Sequence, residues 1–204
     1  MIAYDSMPHL LGGVMAAIDF ETTGLNPDWH EVVQIAIVPL DYKFDPLPGI
    51  RPFYRKIRPE HPERFEPEAM KTNRLAMDEL KTASEKHEII ESLQRWWDAL
   101  GLPLGRTIVP LAHNASFELM YLRKLLGDSH YHKLFHFHHR CSMQTAIQIN
   151  DKCFRRGLKK RFDSVGLEYL AAEFKIHNPC AHDALNDALV GAQLYPRLLD
   201  VDIL

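Results

Sequence analysis

The feature that most constrains this chain is an unbroken apolar run, Val14 to Ile18, that leads directly into Asp19-Phe20-Glu21-Thr22-Thr23-Gly24. A run with no polar alternation reads as a central strand covered on both faces. Thr-Thr-Gly ends it. Strand side chains alternate between faces, so Asp19 and Glu21 leave the strand end on the same side. Two like charges brought together there either raise each other's pKa or require a counter-charge, for which a hard divalent cation is the natural candidate. An isolated Asp-x-Glu is most often a solvated strand end. It gains weight only when other elements bring further acids to the same place.

With 204 residues and 46% hydrophobic content, the chain can bury a sizeable core and reads as one domain over 1–204, with 1–13 loosely packed ahead of the first strand. No stretch approaches the roughly twenty apolar residues of a membrane span, and the N-terminus lacks the basic and apolar pattern of a secretory leader. The expectation is a cytoplasmic protein with no membrane partner. Cys141, Cys153 and Cys180 are odd in number and widely spaced, so they are read as free and structural rather than as a disulfide framework or zinc site. The net charge of −3 means that phosphate binding must come from local basic surface or bound metal. Two basic groups exist: Arg51, Arg55, Lys56 and Arg58, and the denser Lys152, Arg155, Arg156, Lys159, Lys160 and Arg161. Each is first read as a solvated face and second as a contact for a nucleic-acid backbone.

Val32, Val33, Ile35, Ile37 and Val38 form a second β-branched run, and Phe53 to Ile57 alternate as a third strand. The turn Asp45-Pro-Leu-Pro-Gly49 between them predicts an antiparallel meander. Glu68 to Met77 is assigned one or two short helical turns. Thr82-Ala-Ser-Glu85 has the form of a capping box ahead of a helix carrying Ile89, Leu93, Trp96, Trp97 and Leu100, with the tryptophans read as core. Thr107 to Ala112 is a short strand running through His113-Asn114-Ala115-Ser116 into a helix with Leu119, Leu122 and Leu126, where Asn114 or Ser116 can cap the start. Glu118 then stands in the first turn. The crowded His130, His132, His136, His138 and His139 have irregular spacing. With Phe135 and Phe137 interleaved, they read as a partly exposed amphipathic strand rather than a metal site. Leu167 to Phe174 and a helix from about Asp183 to Leu198 close the chain, the latter with Pro196 expected to kink it.

Three motifs in order carry a family resemblance: Asp19-Phe-Glu21-Thr-Thr-Gly24, His113-Asn-Ala-Ser-Phe117-Glu118 and His182-x-x-x-x-Asp187. From Ile18 to Leu198 the chain resembles the DEDDh, or DnaQ-like, 3'→5' exonucleases, which include polymerase proofreading subunits and ribonuclease T. The resemblance implies a ribonuclease H-like α/β fold, a mixed central sheet flanked by helices. It implies that Asp19, Glu21, Glu118 and Asp187 hold two divalent cations, Mg²⁺ or Mn²⁺, and that His182 is the general base. It also places the backbone around Thr22 and Leu25, together with Phe117 and Asn114, against the terminal nucleotide. The implied reaction is hydrolysis of single-stranded DNA or RNA from the 3' end, releasing nucleoside 5'-monophosphates.

One position departs from the family pattern. The second motif ordinarily ends in aspartate, and here Glu118 keeps the charge on a longer arm, which bears on metal preference because Mg²⁺ demands a strict octahedron. The alternative reading is a catalytically weak module that grips 3' ends within a polymerase or repair complex; endonucleolytic cleavage ranks below both. Relatives include dimers and subunits of larger assemblies, so a homodimer and a polymerase-associated subunit both remain open.

Overall fold

The computed structural model describes residues 13–203. The expectation of loose packing at the N-terminus therefore falls, up to residue 12, outside the described residues. Five strands form one sheet in the order β3-β2-β1-β4-β5. Strand β1 (Val14–Thr22) is central, antiparallel to β2 (Val32–Pro39) and parallel to β4 (Ile108–Ala112). The meander closes with β3 (Phe53–Lys56) antiparallel to β2, while β5 (Arg140–Cys141) lies parallel to β4 at the other edge. The mixed sheet matches the fold class read from the sequence.

Helices cover both faces: α1 (Pro67–Asn73), α2 (Met77–Lys81), α3 (Lys86–Ala99), α4 (Ala115–Leu126), α5 (Asp128–Leu134), α6 (Ser142–Arg155), α7 (Leu167–Glu173) and α8 (Ala184–Leu199). Alternation along β1 divides the core. Val14, Ala16, Ile18 and Phe20 pack with Ile89 and Leu93 of α3 and with Leu119 and Leu122 of α4. Met15 and Ala17 pack on the opposite face with Ala184, Ala188 and Ala192 of α8. The alternation continues into the acids, so Asp19 and Glu21 face the α8 side. Alanines at the contact let α8 lie close to the sheet. A third cluster, including Ala146, Ile149, Leu170, Val190 and Leu194, docks α6 and α7 on the outer side of α8.

Several local expectations are corrected. The capping box closes three residues later than read, with Glu85 as N-cap and Glu88 as its reciprocal partner, because Ser84 is drawn into a bridge with Ile57 and stays extended. Neither Asn114 nor Ser116 caps α4: Asn114 occupies the N-cap position, but no side chain makes the capping bond. The histidine-rich stretch is not a strand. Phe135 alone bridges to Ile108, and the His136 and Phe137 rings stack, with the His138 ring tilted against both. Helices α5 and α6 had no counterpart in the sequence reading. Pro196 lies inside α8. Cys141, Cys153 and Cys180 are free, Cys180 being exposed, and Cys141 caps α6 by accepting from the Gln144 amide.

Candidate active site

The C-terminal ends of β1 and β4, the start of α4 and the start of α8 meet at one edge of the sheet. Glu21 (7% exposed), Glu118 (5%) and Asp187 (8%) are buried there, beside the half-buried Asp19. Register irregularity between Glu21 and Thr22 marks a bulge that ends regular pairing just beyond the acids. Burial pushes the Asp19 carboxyl well above the ordinary range, and the charges of Glu118, Glu21, Asp187 and Asp183 add to it. Burial, then Asp187 and Asp183, push Glu21 up to about 8. Glu118 moves the same way through burial and the nearby Glu21, opposed by the Phe20 backbone. Burial also raises Asp187, against the His182 backbone hydrogen bond that favours its charged form.

The entrance of α8 is held by a polar network on the same face. Asp183 is the N-cap, its Oδ1 accepting from the Asn186 amide at 3.1 Å. Its Oδ2 accepts from the Tyr54 hydroxyl at 2.5 Å and from Gln34 Nε2 at 3.3 Å, while Gln34 Oε1 accepts from the Ala184 amide at 2.9 Å. Gln34 stands directly opposite Glu21 in the β1–β2 pairing. Two strands thus fix where α8 begins. His182, just ahead of it, has a φ of +67°, a left-handed conformation that costs a β-carbon-bearing residue on the order of 1 kcal/mol. Its amide donates to Asp187 Oδ2 at 2.9 Å, which offsets that strain, and its Nε2 lies 3.2 Å from Glu168 Oε1. Donor atoms of Glu21, His182 and Asp187 all lie within 4.8 Å of one another. A groove of about 650 Å³, bordered by Tyr54, Asn73, Arg74, Cys180 and Asn186, opens beside His182.

The other residues singled out from the sequence surround this edge. Leu25 is 77% exposed on the turn after β1. The Thr22 hydroxyl is spent on the Gly24 carbonyl at 2.7 Å, and its own carbonyl accepts from Asn73 Nδ2 at 2.8 Å, so Thr22 braces the turn. Gly24 is required by packing, since a β-carbon there would meet the buried His30 ring at 2.5 Å. Phe117 is half-buried against the Tyr121 ring, 4.8 Å between centroids. Asn114 projects an exposed amide with no cap to form. His113 is buried, which lowers its pKa to about 4, and its Nδ1 lies 2.9 Å from Ser142 Oγ, tying the second motif to α6.

The residues fit a divalent cation. The carboxylates raise one another's pKa, and Glu118 Oε2 is buried with no hydrogen-bond partner among the described residues. Oxygen donors dominate the set, as Mg²⁺ and Mn²⁺ prefer. Among the described residues, Glu21, His182 and Asp187 form the one group of three or more donors close enough to share an ion, and the histidine-rich stretch forms none. Sequence reading missed Gln34, Tyr54 and Asp183. Signals existed for two of them: Gln34 is a lone amide in a β-branched strand, and Asp183 directly follows His182 inside the third motif.

The exonuclease family model RNase_T matches residues 16–195. The fold is similar to that of the nuclease domain of 3'hExo, a DEDDh family member bound to rAMP, with a TM-score of 0.64, 16% identity and 91% of each chain covered. It is similar to E. coli exonuclease I in complex with a dT13 oligonucleotide (TM-score 0.65, 18% identity), covering 92% of this chain and 43% of that one. It is also similar to cell-death related nuclease 4 (TM-score 0.61, 20% identity), covering 92% and 64%. The chain thus spans under two thirds of the nuclease 4 chain and under half of exonuclease I. No curated protein matches the sequence.

Proposed function

The chain belongs to the exonuclease family whose model spans residues 16–195, and from that premise we propose that it is a divalent-metal-dependent 3'→5' exonuclease of single-stranded DNA or RNA that releases nucleoside 5'-monophosphates. The observation that carries this reading is the convergence of Asp19, Glu21, Glu118, Asp187 and His182, from three separated motifs, on one sheet edge where a buried Glu118 oxygen has no partner.

In this reading Asp19, Glu21, Glu118 and Asp187 hold two cations. Bound there, the cations supply electrostatic stabilisation of the attacking and leaving oxygens of an in-line displacement at phosphorus. His182 accepts the proton of the attacking water at its imidazole, as a general base within reach of the acids. Glu168 Oε1, 3.2 Å from Nε2, fixes the orientation of the ring. Leu25 and Phe117 receive the terminal base, the Asn114 amide offers hydrogen bonds, and the Thr22 region contributes backbone rather than its committed hydroxyl. The longer arm of Glu118 makes Mn²⁺ at least as effective as Mg²⁺.

The test is digestion of 5'-labelled single-stranded DNA and RNA with Mg²⁺ or Mn²⁺, beside chelated samples and an Asp19→Ala protein. A ladder shortening from the 3' end, lost in both controls, is the expected result, and its relative rate on the two polymers reports the sugar preference. Binding of 3' ends without nucleotide release under either metal would replace the enzyme with an end-binding module.

A further inference from the structure

The two basic groups of the sequence have different fates. In the first, Lys56 pairs with Glu79, Arg58 pairs with Glu85, and Arg55 folds back on the Tyr54 carbonyl and the Phe53 ring. Three of its four charges are thus spent locally, Arg51 being the fourth. In the second, Lys160 pairs with Asp163, Arg161 with Glu173, and Arg156 reaches the Ile203 carbonyl. Lys152, Arg155 and Lys159 are exposed and form no ion pair among the described residues. In the same C-terminal turn of α6, Phe154 is 85% exposed, and Leu158 is exposed just beyond it. Residues 151–163 carry six cations against Asp151 and Asp163, on a protein of net charge −3.

This surface is built rather than loose. Asn150 staples the basic loop to α6, its Oδ1 accepting from the Arg161 and Phe162 amides at 2.9 Å each and its Nδ2 donating to the Phe162 carbonyl at 2.9 Å. Phe162 is fully buried, and Gly157 turns the chain at a φ of +69°. The other end of α6 is tied to the catalytic edge: the Met143 amide donates to the His113 carbonyl, and Ser142 meets the His113 ring. Phe154 lies twelve residue steps along α6 from Ser142, about 18 Å at the rise of an α-helix. That is a span of a few extended nucleotides.

An exposed aromatic ring and uncommitted cations at one end of a helix are the groups that bind single strands, where bases stack on rings and phosphates meet Lys and Arg. We propose that the C-terminal end of α6, with Phe154, Lys152, Arg155 and Lys159, holds the single strand a few nucleotides upstream of the 3' end. The inference rests on the exonuclease reading for its polarity, but the binding it asserts does not require cleavage.

The experiment compares the wild-type chain with Phe154→Ala and with a triple Lys152→Ala, Arg155→Ala, Lys159→Ala variant, all at exposed positions. Substrates are oligonucleotides of about four and about twenty nucleotides, spanning the usual site sizes. Expected are a KM for the long strand raised roughly 10-fold in the triple variant and about 5-fold in Phe154→Ala. Turnover of the short strand should hold. Binding of the long strand in chelator, read by anisotropy, should show a salt dependence shallower by roughly 2 in the triple variant. Unchanged long-strand affinity and salt slope would overturn the proposal. So would a change of sedimentation from dimer to monomer in Phe154→Ala with strand binding intact, which would assign the ring to self-association. A wild type that binds through this surface yet cuts nothing would instead count against the exonuclease reading alone.

Discussion

Glu118 is the residue on which the most turns. It sits in the first turn of α4, almost wholly buried, with one carboxylate oxygen unpartnered. A first-turn acid that merely complements the helix dipole is worth about 0.3–1 kcal/mol and has no reason to be buried among three other acids. Glu118→Ala is therefore expected to lower turnover by roughly 100-fold or more, at the top of the range for outer-shell partners of metal ligands. Glu118→Asp should retain activity and shift the Mn²⁺/Mg²⁺ rate ratio toward Mg²⁺. Unchanged turnover in the alanine variant would remove Glu118 from the metal site. A second residue, Gly24, reports on the turn after β1. His30 cannot yield to a new β-carbon, since its Nδ1 accepts from the Asn26 amide and its Nε2 lies 3.2 Å from Glu66. Gly24→Ala should cost about 1–3 kcal/mol in urea denaturation, as overpacking does. At this scale much of the candidate site was legible, because Asp19, Glu21, Glu118, His182 and Asp187 each hold a fixed place in a short motif. Thr22 was less so. Nothing in Thr-Thr-Gly says that one hydroxyl turns back onto the Gly24 carbonyl.

At the scale of elements, α8 brings His182 and Asp187 to the sheet, and its position depends on partners far away in the chain. Gln34 satisfies both the Ala184 amide and Asp183, and Tyr54 donates to the same carboxylate. Gln34→Leu leaves a buried helix-start amide unpaired, for which a loss of about 1–3 kcal/mol is expected. Tyr54→Phe removes a hydrogen bond to a charged acceptor, with an expected cost of roughly 1.5–3 kcal/mol. Both variants should lower turnover more than they raise KM, because they displace acids and base rather than the strand; a pure KM effect would place Gln34 and Tyr54 in substrate binding instead. Legibility followed apolar density. The strands of the meander, α3, α4 and α8 carry dense apolar patterns and were read near their true bounds. In α6 the buried positions are Ser142, Ala146, Ile149 and Cys153, small or few, between Gln144, Thr145, Gln148 and Asn150. That pattern is too polar to announce a helix until α8 supplies the surface it packs on. The capping box of α3 was misplaced for a related reason: the bridge from Ser84 to Ile57 is a tertiary contact, and local sequence gives Thr82 an equal claim.

For the whole molecule, the sheet edge stores like charge that the fold alone does not neutralise. In the metal-free protein Glu21 is pushed up to about 8 from an ordinary value near 4.5, and Asp19, Glu118 and Asp187 are displaced in the same direction. A folded carboxyl with a raised pKa holds its proton more tightly than the unfolded chain does. Its contribution to stability is therefore full below about pH 4.5 and is lost as pH rises through about 8. In chelator, the thermal midpoint should fall by a few degrees between mildly acidic and mildly alkaline buffer. Added Mg²⁺ or Mn²⁺ binds the folded state in its charged form, so it should restore the midpoint most at the alkaline end, and the gap between metal and chelator should widen with pH. Other groups titrate over the same range, and a paired Asp19→Asn, Glu118→Gln protein separates them. With the charges of Asp19 and Glu118 removed, its midpoint in chelator should vary less with pH and respond little to metal. A gap that is constant with pH in the unmodified chain, or one that persists undiminished in the paired variant, would mean that the cation stabilises the protein somewhere other than the edge where β1, β4, α4 and α8 meet.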